Sequence, residues 1–256
     1  MQARWMNCAG IALITLVMHG ACLAQVGPAG QSASAYTLTF ADEFNSSSLN
    51  RSVWNDRMWY ESGNPTINYA VENGVLKIWP MRDASGRFFN RTLDTDGRFS
   101  QATGFFEIEA KLPYGKGPWP AFWLFNHIGT RRPEIDVMEG YPGGGPNSGW
   151  SDSNLHPTAY GIAVWRDATS LAGSAAIQTP DLSAAFHKYG VRWDNAKMTF
   201  YFDGRQVYSV NARMRDPLYV VLSLWFGSAS GTPDATTPTG KTNAYEINYV
   251  RVWRFR

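Results

Sequence analysis

Apolar and polar side chains alternate in short stretches along this chain, and each stretch ends in glycine, proline or an Asn-Gly or Asp-Gly pair. That period of two predicts strands over Tyr36 to Phe40, Val75 to Trp79, Phe105 to Leu112, Lys197 to Phe202, Gln206 to Val210, Leu218 to Leu224 and Tyr245 to Phe255. In the third of these, Phe106, Ile108, Ala110 and Leu112 fall on one face and Glu107, Glu109 and Lys111 on the other. Asn73-Gly74 and Asp203-Gly204 mark tight hairpin turns. No stretch carries the 3.6-residue period of an ordinary amphipathic helix, and no repeat or heptad is present. Many short strands joined by turns predict an all-β fold of two packed antiparallel sheets. The Gly- and Pro-rich loops at 140–150 and 227–240 are long enough to form the rim of a cleft.

The opening residues break this pattern. Arg4 precedes an apolar run from Ala9 to Met18, followed by small residues up to Ala24. Such a run is too short to span a bilayer and has the form of a secretory signal peptide over residues 1–24, cut before Gln25. Export to the periplasm or the medium is the expectation. The alternative, a lipoprotein anchored through Cys22, meets His19 where an aliphatic residue is preferred. Both cysteines, Cys8 and Cys22, lie in this leader, so the exported chain has no thiol. Residues 25–35, mostly Gly, Ala, Ser and Pro, read as a flexible lead-in, and residues 36–256 as a single domain. A formal net charge of +2 over 256 residues gives no reason to expect a nucleic-acid partner. Nothing calls for an obligate protein partner either, so a monomer is expected.

Chemistry concentrates in Glu134-Ile135-Asp136-Val137-Met138-Glu139, three carboxylates on what otherwise reads as a buried strand between two loops. On a regular strand Glu134 and Asp136 share a face and Glu139 points away. One bulge near Val137 or Met138 returns all three to the same face. Close carboxylates raise one another's proton affinity, so one can stay protonated while another is ionised. Cleavage of a glycosidic bond needs that division of labour. An amphipathic strand with a solvated acidic face and a divalent-metal patch are the competing readings at this point.

Tryptophan is the other signal, at 11 residues. Trp119 and Trp123 lie on one face of a strand with Ala121 between them, and indole faces set side by side suit the apolar C–H faces of sugar rings. His127, His156 and His187 have no partner at metal-ligand spacing, and neither a phosphate-binding loop nor a nucleophile elbow is present.

From about Phe40 to Trp253 the chain resembles glycoside hydrolase family 16. The resemblance rests on Phe40-Ala41-Asp42-Glu43-Phe44, Asn73-Gly74-Val75-Leu76, Asp96-Gly97-Arg98-Phe99, Gly104 to Pro113, Trp119 to Leu124, Glu134 to Glu139, Phe186 to Trp193, Phe202-Asp203-Gly204 and Tyr249 to Trp253, in that order. It implies an antiparallel β-jelly-roll sandwich of the concanavalin A type and a retaining endo-glycanase, with Glu134 as nucleophile, Asp136 assisting and Glu139 as acid/base. The E-x-D-x-x-E spacing is that of the bulged, laminarinase-like branch. Trp119, Trp123 and Trp225 are the implied sugar-stacking residues, and His156 the implied cleft histidine.

The resemblance implies a polysaccharide partner and no cofactor. Relatives hold a structural calcium near the positions of Glu43, Gly74 and Asn248. Here Asn248 replaces an aspartate, which removes a charged ligand from a hard-cation site. Glu109, Pro133 and the segment Leu222 to Gly231 also depart from the family pattern, and all of them border the expected cleft. The substrate is therefore expected to be a β-1,3- or mixed β-1,3/1,4-glucan or a bacterial exopolysaccharide. A transglycosylase would use the same residues, and a non-catalytic lectin is the reading from another class.

Overall fold

The computed structural model describes residues 26–129, 131–144 and 149–256. The expected leader over residues 1–24, with Cys8 and Cys22, lies outside the described residues. Among the described residues fourteen strands run in chain order: β1 (Tyr36–Asp42), β2 (Tyr69–Glu72), β3 (Val75–Ile78), β4 (Arg91–Asp94), β5 (Gly104–Lys111), β6 (Pro118–Phe125), β7 (Glu134–Gly140), β8 (Ala159–Trp165), β9 (Leu171–Gln178), β10 (His187–Trp193), β11 (Lys197–Phe202), β12 (Arg205–Asn211), β13 (Tyr219–Phe226) and β14 (Tyr245–Phe255). They form two sheets. One has the order β12-β11-β10-β5-β14-β3-β2, with β1 also paired to β14, and the other has the order β4-β13-β6-β7-β8-β9. All the pairings are antiparallel.

The sheets pack face to face over one apolar layer. Phe106, Ile108 and Ala110 of β5 enter it from one side, and Phe122, Leu124, Ile135, Ile162, Leu222 and Leu224 from the other. The alternation read from the sequence thus sets which face of each strand is dry. Both expected tight turns form, with Asn73 and Gly74 at φ 54° and 75°, and Asp203 and Gly204 at φ 47° and 76°. Two consecutive left-handed residues match the twist of a two-residue hairpin.

Pro118 and Pro120 lie inside β6, a strand with neighbours on both sides. They are tolerated because the β6–β7 ladder begins only at Ala121, so no β7 carbonyl awaits their missing N–H groups. Just beyond these strands the two Gly-rich loops meet. Gly143 N–H donates to Ser230 Oγ (3.0 Å) and Gly149 N–H to Ala229 O (3.0 Å).

The segment before β1 is not a free lead-in. Ala29 N–H donates to the buried carboxylate of Glu107 (2.8 Å), and Trp253 Nε1–H donates to Val26 O (2.9 Å). Gly30, at φ 70°, lies so close to the 203–204 turn that any β-carbon would collide with the Gly204 carbonyl. Residues 26–35 form a strap across the outer face of the larger sheet. There Tyr36, Phe105 and Trp253 make a small second core. The small residues that read as flexible are those that let the strap lie flat.

Candidate active site

The outer face of the six-stranded sheet carries a cleft of about 320 Å3. Glu134, Asp136 and Glu139 all line it. They share one face because of a bulge: Asp136 pairs with Trp123, Met138 with Phe122 and Glu139 with Ala121, so Val137 has no partner of its own on β6. The β7–β8 ladder shifts between the same two residues, Asp136 and Glu139. Val137 and Met138 consequently both point into the core, where they are 1% and 0% exposed. Two adjacent inward side chains are what turn Glu139 back toward the cleft.

Each carboxylate sits in its own surroundings. Asp136, 4% exposed, is buried between the other two, and its affinity for a proton is raised well above the ordinary range by burial, then by the charges of Glu139 and Glu134. It hydrogen-bonds to Glu134. Glu134 is pushed up to about 7, first by burial and then by Glu139, while the bond from Asp136 works in the opposite direction. Above about pH 7 that combination describes a protonated Asp136 donating to an ionised Glu134. Glu139 is raised by burial and eased back by two donors, the Tyr141 hydroxyl and Trp119 Nε1–H (3.1 Å). Gly161 stands opposite Glu139 on β8, where a β-carbon would press on the Tyr141 ring.

The tryptophans are placed differently from the expectation. Trp119, Trp123 and Trp225 all line the cleft. Trp225 meets Trp119 at 87° and Trp123 at 79°, with centroids 5.4 and 5.7 Å apart, so the three form an edge-to-face array and not a flat platform. Trp123 is only 6% exposed, and its Nε1–H donates to Ser223 Oγ (3.2 Å), which makes it the cleft floor. His156 does not reach the cleft. It bonds to Asp152 (2.7 Å) and packs on Trp150, with Tyr141 in turn packed between Trp150 and Trp119. The Trp119–Tyr141–Trp150–His156 stack sets the histidine behind Tyr141 and Trp150, away from the cleft.

Tyr60, Arg132, Trp165 and the Glu139 partner Tyr141 are functional candidates that the strand pattern did not single out. Tyr60 reaches the cleft on the loop between β1 and β2. Buried Arg91 pins that loop by donating to Asn68 Oδ1, Asp56 O and Thr66 O (2.9, 3.0 and 2.7 Å). A second chain of bonds runs from Trp225 Nε1–H to Thr92 (2.8 Å), from Thr92 to Glu61 (2.9 Å), and from Met58 N–H to Glu61 (2.9 Å). One signal was available: Met58-Trp59-Tyr60 is a run of large apolar residues inside a polar loop.

The residues expected near calcium are engaged with other protein groups. Glu43 holds Arg251 through two bonds of 2.7 Å, and the Asn248 amide donates to Glu109 (3.0 Å). A guanidinium occupies the only acidic group of that set, and the amide side chain serves as a donor elsewhere. Among the described residues, no group of three or more His, Cys, Asp and Glu side chains is arranged to hold a metal ion, and no helix is long and apolar enough to cross a membrane.

A bulged strand presenting three neighbouring carboxylates to an aromatic cleft, on one sheet of a two-sheet sandwich, defines a carbohydrate-processing class of protein. The family model for glycosyl hydrolases family 16 matches residues 70–251, and the chain belongs to that family. It is 31% identical to the endo-1,3-1,4-beta-glycanase EglC of Rhizobium meliloti (strain 1021), over 86% of this chain and 52% of that protein. The chain thus spans about half the length of that relative. It is 27% identical to a beta-glucanase of Rhodothermus marinus, over 86% of both chains. Among solved structures, the endo-beta-1,3-glucanase from Pyrococcus furiosus superposes with a TM-score of 0.69 at 26% identity, covering 86% of this chain and 95% of that one. The sandwich is therefore the expected jelly roll.

Proposed function

We propose that this protein is an exported, retaining endo-β-glycanase that hydrolyses β-1,3- or mixed β-1,3/1,4-glucan. The observation that carries the proposal is the bulge at Val137, which sets Glu134, Asp136 and Glu139 on one wall of the cleft. The names of the relatives, a β-1,3-1,4-glycanase, a β-glucanase and a β-1,3-glucanase, support the substrate class.

In the proposed reaction Glu139 gives its proton to the glycosidic oxygen as the Glu134 carboxylate attacks the anomeric carbon. The leaving chain departs with that proton, and a glycosyl ester on Glu134 remains. Glu139, now ionised, takes a proton from water, whose oxygen displaces the ester with overall retention. Asp136 keeps its own proton and donates to Glu134, which holds the nucleophile ionised and oriented. Trp119, Trp225 and Tyr60 offer ring faces and edges to the sugars along the cleft.

Release of reducing ends from laminarin and lichenan tests this reading. The wild type should release them, while Glu134→Ala and Glu139→Ala should each lose at least about a hundredfold in rate and keep the native circular dichroism spectrum. Binding of these glucans without release would point to a lectin.

A further inference from the structure

At the Glu134 end of the cleft the lining changes character. Arg132, Tyr60 and Trp165 line it there, with Trp165 directly across the β7–β8 ladder from Glu134. Arg132 is held in a costly conformation. Its φ is 47°, in the left-handed region, and the next residue is Pro133, which disfavours compact conformations in the residue before it. Its guanidinium lies 5.8 Å over the Trp59 ring. Strain of this kind persists where the surrounding structure imposes it, and it gathers at functional sites.

Arg132 has no carboxylate partner among the described residues, while its charged neighbours are all engaged. Arg131 pairs with Asp216 (3.0 Å), and His127, which packs on Trp59, pairs with Asp96 (2.9 Å). Glu61 accepts from Met58 N–H and Thr92 (both 2.9 Å). Nor does an ion pair join Arg132 to the proposed nucleophile Glu134 among the described residues; the raised proton affinity of Glu134 comes first from burial and then from Glu139. The Trp165 indole N–H also makes no hydrogen bond among the described residues. A guanidinium and an indole N–H can only donate.

Sugar hydroxyls both donate and accept, and are served by mixed surroundings. Two groups that only donate, the Arg132 guanidinium and the Trp165 indole N–H, beside a Tyr60 hydroxyl that can also donate, match a group that only accepts. We infer that the Glu134 end of the cleft is a subsite for an anionic substituent, a carboxylate or a sulfate, carried by the polysaccharide on a ring next to the one being cleaved. The guanidinium and indole N–H would grip its oxygens while Trp59 holds the Arg132 side chain from behind. The substituent lies on a neighbouring ring because the cleavage point is occupied by three carboxyl groups. This inference rests on the glycanase reading and narrows its substrate class.

The test uses one β-1,3-glucan in three forms: unsubstituted, carboxymethylated and, to the same degree, hydroxyethylated. Wild-type kcat/KM should favour the carboxymethylated form over the hydroxyethylated one by about tenfold, the order expected for one charge-assisted contact. Added salt should shrink that ratio. Arg132→Gln should bring it close to one, whatever it does to the rate common to all three forms. Equal wild-type rates on the two substituted glucans would overturn the inference. So would an Arg132→Gln loss of equal size on both, since that marks a donor to ordinary hydroxyls. Calorimetric binding of the same three glucans to the Glu134→Gln variant reads the preference without cleavage. If no form is hydrolysed, the glycanase reading fails, and the binding ratio still decides for or against the anion subsite.

Discussion

Asp136 and Glu139 are three residues apart on β7, yet they pair with Trp123 and Ala121, which are two apart on β6. That one-residue mismatch puts a third carboxyl group on the cleft face and gives each of the three a separate role. Asp136 is the most deeply buried and keeps its proton, Glu134 receives a hydrogen bond from it, and Glu139 receives bonds from Trp119 and Tyr141.

The Trp119 bond favours the ionised form of Glu139. Trp119→Phe keeps an aromatic ring and removes the donor, so Glu139 should hold its proton to higher pH. The basic limb of the kcat/KM profile, where the acid is lost, should therefore move upward, with a loss of about tenfold or less at the optimum. A downward shift would mean that Glu139 is not the group whose proton the reaction uses.

The same burial should be visible in stability. Folded Glu134 keeps a proton up to about pH 7, whereas glutamate in an unfolded chain releases it near pH 4.3. Between those values the folded state binds more protons than the unfolded one, so stability falls as pH rises through that window and levels off above it. Glu134→Gln removes the titration. At pH 8 it should be more stable than the wild type by about 3–4 kcal/mol, with the gap closing toward pH 4, as read from denaturant unfolding across pH. A constant gap would show that the charge on Glu134 is not what the fold resists.

Removing residues 26–35 should cost more than the loss of a loose tail. Ala29 N–H and Tyr249 Oη–H satisfy buried Glu107 (2.8 and 2.9 Å), and the strap covers the Tyr36–Phe105–Trp253 cluster. A chain beginning at Tyr36 should lose about 2–4 kcal/mol in chemical denaturation while keeping its cleft residues in place. An unchanged unfolding midpoint would restore the reading of this segment as a free lead-in.

How much of this was legible in the sequence depended on whether a signal was local. Strict alternation in Phe105 to Leu112, and the Asn-Gly and Asp-Gly pairs, identified strands and turns because a period of two and a left-handed turn are properties of the segment itself. The bulge was legible because three carboxylates at that spacing cannot share a face on a regular strand. β8 and β9 were missed: Ala159–Trp165 and Leu171–Gln178 carry glycines and alanines where alternation would have marked them. The small residues follow from packing, since Gly161 makes room for Tyr141 and Gly173 lies against Tyr208 and Val210. His156 lies away from the expected place because it packs on Trp150, which in turn packs on Tyr141, contacts that spacing alone does not reveal. Tyr60, Arg132 and Trp165 come from three different segments, and only the fold brings them to one corner.

The central claim is that Glu134 is the nucleophile, and the most direct test is to trap the ester it would form. A 2-deoxy-2-fluoro β-glucosyl fluoride extended by one β-1,3-linked glucose forms the glycosyl-enzyme and then turns over slowly, because fluorine destabilises the cationic transition state of both steps. Intact-mass and peptide mass spectrometry should show one added disaccharide, on Glu134, that is absent from Glu134→Gln. A label on Glu139 or Asp136, or turnover of this substrate with inversion and no label, would contradict the assignment.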